Sequence, residues 1–151
     1  IHRVDRRQRK MCIRDGNYAV QYIRSILPAA VSLFGEEEAG KLGWETGRLI
    51  GMQCYDATAA FIGTKSNDPQ SFAHYLATLL DAGGDAAEVN GAEVSTRTWR
   101  MMNGKEGVTP ACFDAWNALF EGALVVHNRR LKLEVTSRMD AGADHWGWRI
   151  F

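Results

Sequence analysis

Apolar and polar positions alternate most regularly near the C-terminal end of the sequence. From Leu131 to Met139 every second residue is apolar or small, and the positions between carry charged or hydroxyl side chains. This period of two predicts a half-buried strand. After a turn at residues 141–144 that contains Gly142, the apolar positions Trp146, Trp148 and Ile150 predict a second strand. A hairpin of this size needs further strands and a layer of helices to be stable.

Helical periodicity dominates the first half of the chain. Ala19, Tyr22, Ile23 and Ile26 predict a short helix that ends at Pro28, and a long helix is expected from about Gly35 to Phe61. Its buried side is predicted to consist of the following residues: Leu42, Leu49, Ile50, Cys54, Ala57 and Phe61. Cys54 is therefore interpreted as a small core residue.

Four glycines, Gly40, Gly43, Gly47 and Gly51, recur within the long helix at spacings of three or four residues. Each one costs up to about 1 kcal/mol relative to alanine in a helix interior. A stripe without side chains therefore indicates that another backbone or a ligand comes close. The two interpretations are tight packing against a helix or sheet, and a wall of a binding pocket.

The rest of the chain predicts two more helices and two more strands. A helix is expected after Asn67-Asp68-Pro69, with His74 off its inner face, and another after Thr109-Pro110. The second should lay the apolar stripe from Phe113 to His127 on the sheet. Between these helices the period returns to two from Ala86, with a turn at Asn90-Gly91 and a β-prone run to about Met102. The predicted fold is α+β, an antiparallel sheet of about four strands, with a C-terminal hairpin, covered by about four helices.

Composition and charge are ordinary except at the start of the chain. Residues 1–16 hold six basic and two acidic side chains, and the remaining residues hold 12 basic and 16 acidic. Residues 11–15 are similar to translated sequencing-adapter sequence, so 1–16 are interpreted as a non-native or disordered arm and 17–151 as one domain. Three widely spaced cysteines favour a reducing cytoplasm. We expect no cofactor, metal, nucleic-acid or membrane partner. We expect a small-molecule ligand, and a homodimer is compatible with the sequence.

Candidate chemistry reduces to one cysteine, two histidines and three carboxylates, since dinucleotide, phosphate-loop, zinc and serine-nucleophile motifs are absent from the sequence. Cys112 falls in the first turn of the last helix, where the helix dipole favours a thiolate. His127 ends the same helix, too far along it to activate Cys112. It is expected to interact with the helix C-terminus or to cap a pocket. His145 is the better partner if the hairpin brings it near Cys112.

The C-terminal forty residues resemble the L-2-amino-thiazoline-4-carboxylic acid hydrolase family. The resemblance lies in Cys112 on a helix, His127-Asn128 at its end, the strand from Leu131, and Gly142 with Asp144 at the turn, followed by the short strand Trp146-Gly147-Trp148-Arg149-Ile150. The family's cysteine in this last strand is Trp146 here. More distantly, the chain is similar to 4-vinyl reductase-type small-molecule-binding domains.

Two functions follow as hypotheses. The resemblance implies a hydrolase that opens a C–N or C–S bond in a small polar substrate, either cyclic or amide-like. In it Cys112 would be the nucleophile, His145 the base and Asp144 its orienting group. The alternative is a non-catalytic sensor or carrier with an aromatic pocket between helices and sheet. Predicted substrate-binding residues are Gly47, Trp99, Trp116, His127, Asn128 and Trp148. A third possibility is a structural subunit with a tryptophan-rich dimer interface.

Overall fold

The computed structural model describes residues 25–102 and 109–151. The basic arm (residues 1–16), the predicted start of the first helix and most of the loop after Met102 lie outside the described residues. The helices are α1 (residues 25–34), α2 (Glu36–Ile62), α3 (Pro69–Ala82) and α4 (Pro110–His127). The strands are β1 (Ala87–Asn90), β2 (Glu93–Thr96), β3 (Leu133–Ser137) and β4 (Trp146–Ile150). A short 3₁₀ helix, Met139–Ala141, lies between the last two strands.

The four strands form one antiparallel sheet in the order β1-β2-β4-β3. This confirms the predicted α+β fold with its C-terminal hairpin. Val94, Trp148 and Ile150 are among the fully buried side chains of its inner face. The alternation predicted before the turn is also confirmed, although β3 is shorter than expected and its pairing with β4 shifts between Val135 and Ser137. The helices cover the inner face in two layers, α3 and α4 next to the sheet and α2 beyond α4.

The predicted starts of α2, α3 and α4 and the predicted turns are confirmed because they depend on local chemistry. The predicted end of the first helix at Pro28 was wrong: α1 continues to residue 34, since the φ angle of proline is helical and the residue removes only its own N–H donor. Asp68 caps α3 by accepting a hydrogen bond from the Ser71 backbone N–H at 2.7 Å, and Pro69 follows it. Gly91 and Gly142 have φ angles of 62° and 95°, which L side chains rarely adopt. Strand β2, like β3, is shorter than predicted: it ends at Thr96, whose hydroxyl lies 2.7 Å from the Thr98 carbonyl oxygen and turns the chain.

Helices α2 and α4 run side by side in the same direction with their backbones nearly in contact. A Cβ on Gly47 or Gly51 would collide with the carbonyl oxygens of Ala115 or Leu119 on α4, and one on Gly122 would collide with Arg48 on α2. At the start of the pair, Glu36 accepts a hydrogen bond from the Ala111 N–H at 2.9 Å. The glycine stripe therefore packs against a helix, as one of its two interpretations predicted.

The large apolar residues predicted to be buried on α2 are exposed to solvent, so the prediction of a buried side was wrong. Leu42, Leu49, Ile50 and Phe61 are exposed, and Ala57 and Cys54 are exposed too. The buried residues follow a spacing of four and are mostly small: Ala39, Gly43, Gly47, Gly51, Tyr55 and Ala59. The physical reason is the short distance between the helices, which leaves no room for a branched side chain on the inner side.

Helix α4 is buried on two sides because it lies between α2 and the sheet. Phe113 and Phe120 face the sheet, where Phe120 packs edge-on against Trp148 and Phe113 stacks on Trp146. Trp116 belongs to the predicted sheet-facing stripe but is only partly buried and lies on the side of α1 and α2. Among the described residues, no helix combines the length and apolarity needed to cross a membrane.

Candidate functional site

The Cys112 thiol lies in the core beneath the inner face of the sheet. It is in the first turn of α4, as predicted, but only 4% of the residue is exposed. It belongs to the same buried cluster as Trp99, Phe113 and Trp146. The Thr109 hydroxyl lies 3.8 Å from Sγ, which is a weak contact. The side chain is therefore packed as a small apolar residue.

Asp144 and His145 form a hydrogen-bonded pair near the start of β4. His145 Nδ1 lies 2.6 Å from Asp144 Oδ1, and this hydrogen bond to His145 lowers the pKa of the Asp144 carboxyl. The imidazole borders a polar cleft of about 380 Å³ that is lined also by Glu88 and Ser95. The contact that orients the predicted base is thus present, on a partly exposed histidine.

The structure does not bring Cys112 and His145 together. Trp146 follows His145 and points into the core, so strand alternation sends the His145 side chain to the outer face. Cys112 lies beneath the opposite, inner face. Trp146 itself, which replaces the family cysteine, is 2% exposed and packs edge-on against Trp99. A thiol–imidazole pair at these two positions would have to act through the sheet.

His127 joins three helices instead of capping a pocket or its own helix end. Its Nε2 lies 3.0 Å from the Asp68 carbonyl oxygen, and its Nδ1 lies 2.6 Å from the Tyr55 hydroxyl. Because a carbonyl oxygen only accepts, Nε2 carries the proton, and a neutral ring accepts the tyrosine hydrogen bond at Nδ1. Asn128 donates to the Asn67 carbonyl oxygen at 2.8 Å. Both predicted substrate-binding residues therefore anchor the segment that leads into α3.

Two of the three tryptophans expected to line a pocket fill the core themselves. Trp99 stacks on Phe120 and meets Trp148 edge-on at 5.3 Å between ring centroids. Trp148 is fully buried, and its indole N–H donates to Asn117 Oδ1 at 3.1 Å. Helix α4 occupies the space between the glycine stripe and the sheet in which the aromatic pocket was expected.

The third tryptophan, Trp116, lines an apolar groove of about 350 Å³ between α1, α2 and α4. Gly47, another predicted substrate-binding residue, lies at the same groove. The remaining lining residues are Ile26, Leu27, Ala30, Leu42, Gly43, Thr46, Ile50, Ala115 and Leu119. Ten of these eleven residues are apolar or glycine. Of the groove residues, only Trp116 and Gly47 were predicted from the sequence, because the groove joins α2 to α4, which are far apart in the chain.

A second groove between α2 and α4 is wider and acidic. It encloses about 580 Å³ and is lined by Glu36, Glu37, Glu45, Asp114 and Glu121 among others. Burial raises the pKa of Glu121, while the nearby Arg48 charge and hydrogen bonds from Asn117 and Trp44 oppose the rise. Within residues 25–102 and 109–151, no group of three or more His, Cys, Asp and Glu side chains is placed to hold a metal ion.

Comparison of the chain with family models, curated proteins and solved structures found no match. Its function is therefore inferred from the geometry of its own residues.

Proposed function

We propose that the chain is a small-molecule-binding domain that takes an apolar ligand in the groove between α1, α2 and α4. The single observation that carries this proposal is the groove itself. It joins Trp116 and Gly47, two of the residues predicted to bind a ligand. Its volume of about 350 Å³ lies within the usual range of small-molecule sites, roughly 300–1,000 Å³.

The lining favours a ligand with an apolar body. Trp116 offers an indole surface, and Leu27 lies over Gly43, where an added Cβ would come within 2.8 Å of Leu27 Cδ2. Thr46 contributes a hydroxyl to an otherwise apolar wall. Since burying an unpaired polar group costs about 1–3 kcal/mol, a polar substrate of the kind implied by the resemblance would bind here poorly.

The hydrolase remains a second candidate because one of its contacts is present. Asp144 is hydrogen-bonded to His145 Nδ1, as required for a group that orients a general base. The candidate is weaker because its nucleophile, Cys112, is enclosed beneath the other face of the sheet. A reactive thiol would have to be within hydrogen-bonding reach of the imidazole.

Titration with the uncharged fluorophore N-phenyl-1-naphthylamine tests the binding function. The probe has an apolar body of suitable size and becomes more fluorescent when it leaves water. We expect saturable binding that weakens about tenfold in Trp116→Ala, since loss of an aromatic contact costs on the order of 1.4 kcal/mol. Trp44→Ala is the matched control, because Trp44 lines the acidic groove instead.

Equal binding by the wild type, Trp116→Ala and Trp44→Ala would place the probe elsewhere and refute the proposed groove. Absence of saturable binding by the wild type would refute it as well. Circular dichroism melting of each variant separates loss of binding from loss of folding.

A further inference from the structure

One face of α2 is long, exposed and free of charge. It consists of nine residues, which we call the uncharged face: Leu42, Thr46, Leu49, Ile50, Gln53, Cys54, Ala57, Ala60 and Phe61. At 100° per residue they fall within an arc of about 140°. The charged side chains that follow Gly40 on this helix lie outside that arc, and Glu45 and Asp56 border it on the side of Leu49: Lys41, Glu45, Arg48 and Asp56.

The size of this face is that of a protein interface. Phe61 is 92% exposed and Leu42 is 56% exposed, and the other seven residues are exposed as well. Together they present on the order of 800 Å², which is about what each partner buries in a stable complex. Monomeric soluble proteins rarely leave a contiguous apolar patch of more than a few hundred Å² in water.

We propose that a second copy of this chain packs on the uncharged face, so that two α2 helices meet around a two-fold axis. In such a dimer the same patch meets itself, and every charge on it would face a like charge. A face without charges meets itself without that repulsion. Leu49 and Ile50 lie about halfway along the length of this face, with Leu49 on its edge and Ile50 nearer its centre line. The apolar core of the interface is required there.

The charges beside this face favour a second copy over a lipid surface. Helices that lie on membranes carry lysine and arginine along their polar side, which binds anionic headgroups. Helix α2 has five acidic side chains, Glu36, Glu37, Glu38, Glu45 and Asp56, and two basic ones, Lys41 and Arg48. Its net charge of −3 would be repelled by such a surface.

The dimer and the ligand groove are separate proposals with separate tests. Leu42, Thr46 and Ile50 belong to both the uncharged face and the groove wall, so the second copy would lie beside the groove opening. Leu49 is on the face but does not line the groove. A charge at Leu49 should therefore abolish the dimer and leave N-phenyl-1-naphthylamine binding by the monomer in place.

Sedimentation equilibrium of the full chain over a concentration series tests the dimer. We expect a monomer–dimer equilibrium that weakens at least a hundredfold in Leu49→Glu, because each copy would bury an uncompensated carboxylate. Val125→Glu is the matched control: Val125 is an exposed apolar residue on α4, outside the uncharged face, and its replacement should leave the dimer intact. Since Leu49 is exposed in the single chain, Leu49→Glu should melt at the same temperature as the wild type at concentrations where both are monomeric.

Cys54 provides an independent measurement because its thiol lies on the uncharged face. A bis-maleimide reagent should cross-link two full chains, and Cys54→Ser should remove the product while Cys12→Ser retains it. A chain that stays monomeric at every concentration overturns the proposal, as does a dimer unaffected by Leu49→Glu. Two other results would overturn the dimer and assign the face to another occupant. If the monomer floats with phosphatidylcholine vesicles and Leu49→Glu abolishes this flotation, the occupant is a lipid surface. If dimers form only after residues 1–16 are deleted, the occupant is that segment.

Discussion

At the residue scale, access to solvent decides which thiol can react. The Cys112 sulfur is covered by core side chains and by the Thr109 hydroxyl, so a reagent reaches it only when α4 moves. Cys54 lies on the outer side of α2 and has no such cover.

We therefore predict that iodoacetamide modifies Cys54 in the folded monomer, at concentrations too low for the proposed dimer, and Cys112 only after unfolding. Mass spectrometry of tryptic peptides distinguishes the two sites, and the rate for Cys112 should rise steeply through the unfolding transition in urea. Cys54→Ser is the control, because it shows whether Cys112 reacts only as a consequence of prior modification at Cys54. Rapid modification of Cys112 in the folded protein, slowed by His145→Ala, would favour the hydrolase over the binding domain.

The residue types suited to catalysis were visible in the sequence, but their positions relative to each other were not. Cys112 was correctly placed in the first turn of a helix, since Thr109-Pro110 marks the start of α4 locally. Its distance from His145 depends on which face of β4 each side chain meets. Trp146 and Trp148 determine these faces, since their large side chains occupy the inner face and His145 is left on the outer face.

At the element scale, the contact between α2 and α4 determines how the helices are arranged. Both backbones approach so closely that Gly47 faces the Ala115 carbonyl oxygen and Gly122 faces Arg48. The helix propensity lost at the glycines is offset by dispersion contacts along the length of both helices. Gly40, at the N-terminal end of the contact, is less crowded: an added Cβ would lie 3.6 Å from the Ala111 side chain.

Gly47→Ala and Gly40→Ala should consequently change stability in opposite directions. The methyl group at position 47 would push the helices apart and destabilise the fold by about 1–3 kcal/mol through overpacking. At position 40 the methyl group makes an ordinary contact and gains up to about 1 kcal/mol in helix propensity. Urea unfolding followed by circular dichroism measures both. If both substitutions stabilised the protein to the same extent, the helices would not be in backbone contact.

The limits of the element predictions have the same physical origin. Alternation along β3 and β4, the Asp68 cap of α3 and the start of α4 were predicted correctly because each depends on neighbours in the chain. Thr109 precedes α4 as predicted, but its side chain makes no capping hydrogen bond. The buried side of α2 was predicted incorrectly because large apolar residues were assumed to face inward. The small side of a helix becomes the buried side only when its partner is also small there, as Ala115 and Gly122 are.

At the scale of the whole molecule, buried carboxylates connect stability to pH. Asp85 is 4% exposed and accepts a hydrogen bond from the Arg100 N–H at 2.7 Å, which holds the turn after β2. Burial raises the pKa of this carboxyl, although the Arg100 hydrogen bond and charge oppose the rise. Burial likewise raises the pKa of Glu121 between α2 and α4. Both ionised groups reduce the stability of the folded state.

Proton binding determines whether Asp85 stabilises or destabilises the fold as the pH rises. A carboxyl with a raised pKa in the folded state binds its proton more tightly there than in the unfolded chain, whose aspartates have a pKa of about 3.9. The free energy of unfolding contributed by this group therefore falls as pH rises from about 4 through the folded-state pKa, and it stays low above it.

Asp85→Asn should remove this dependence and keep the hydrogen bond, since the amide oxygen also accepts from the Arg100 N–H. We expect the difference in unfolding free energy between Asp85→Asn and the wild type to increase in favour of the variant from about pH 4 to about pH 7. Paired urea titrations across that range measure the difference, so that other titrating groups cancel. Asp85→Ala is the control: it loses the acceptor and should be less stable than Asp85→Asn at every pH. A difference that shrinks with rising pH would mean that the hydrogen bond from Arg100 and its charge outweigh the burial of the carboxylate.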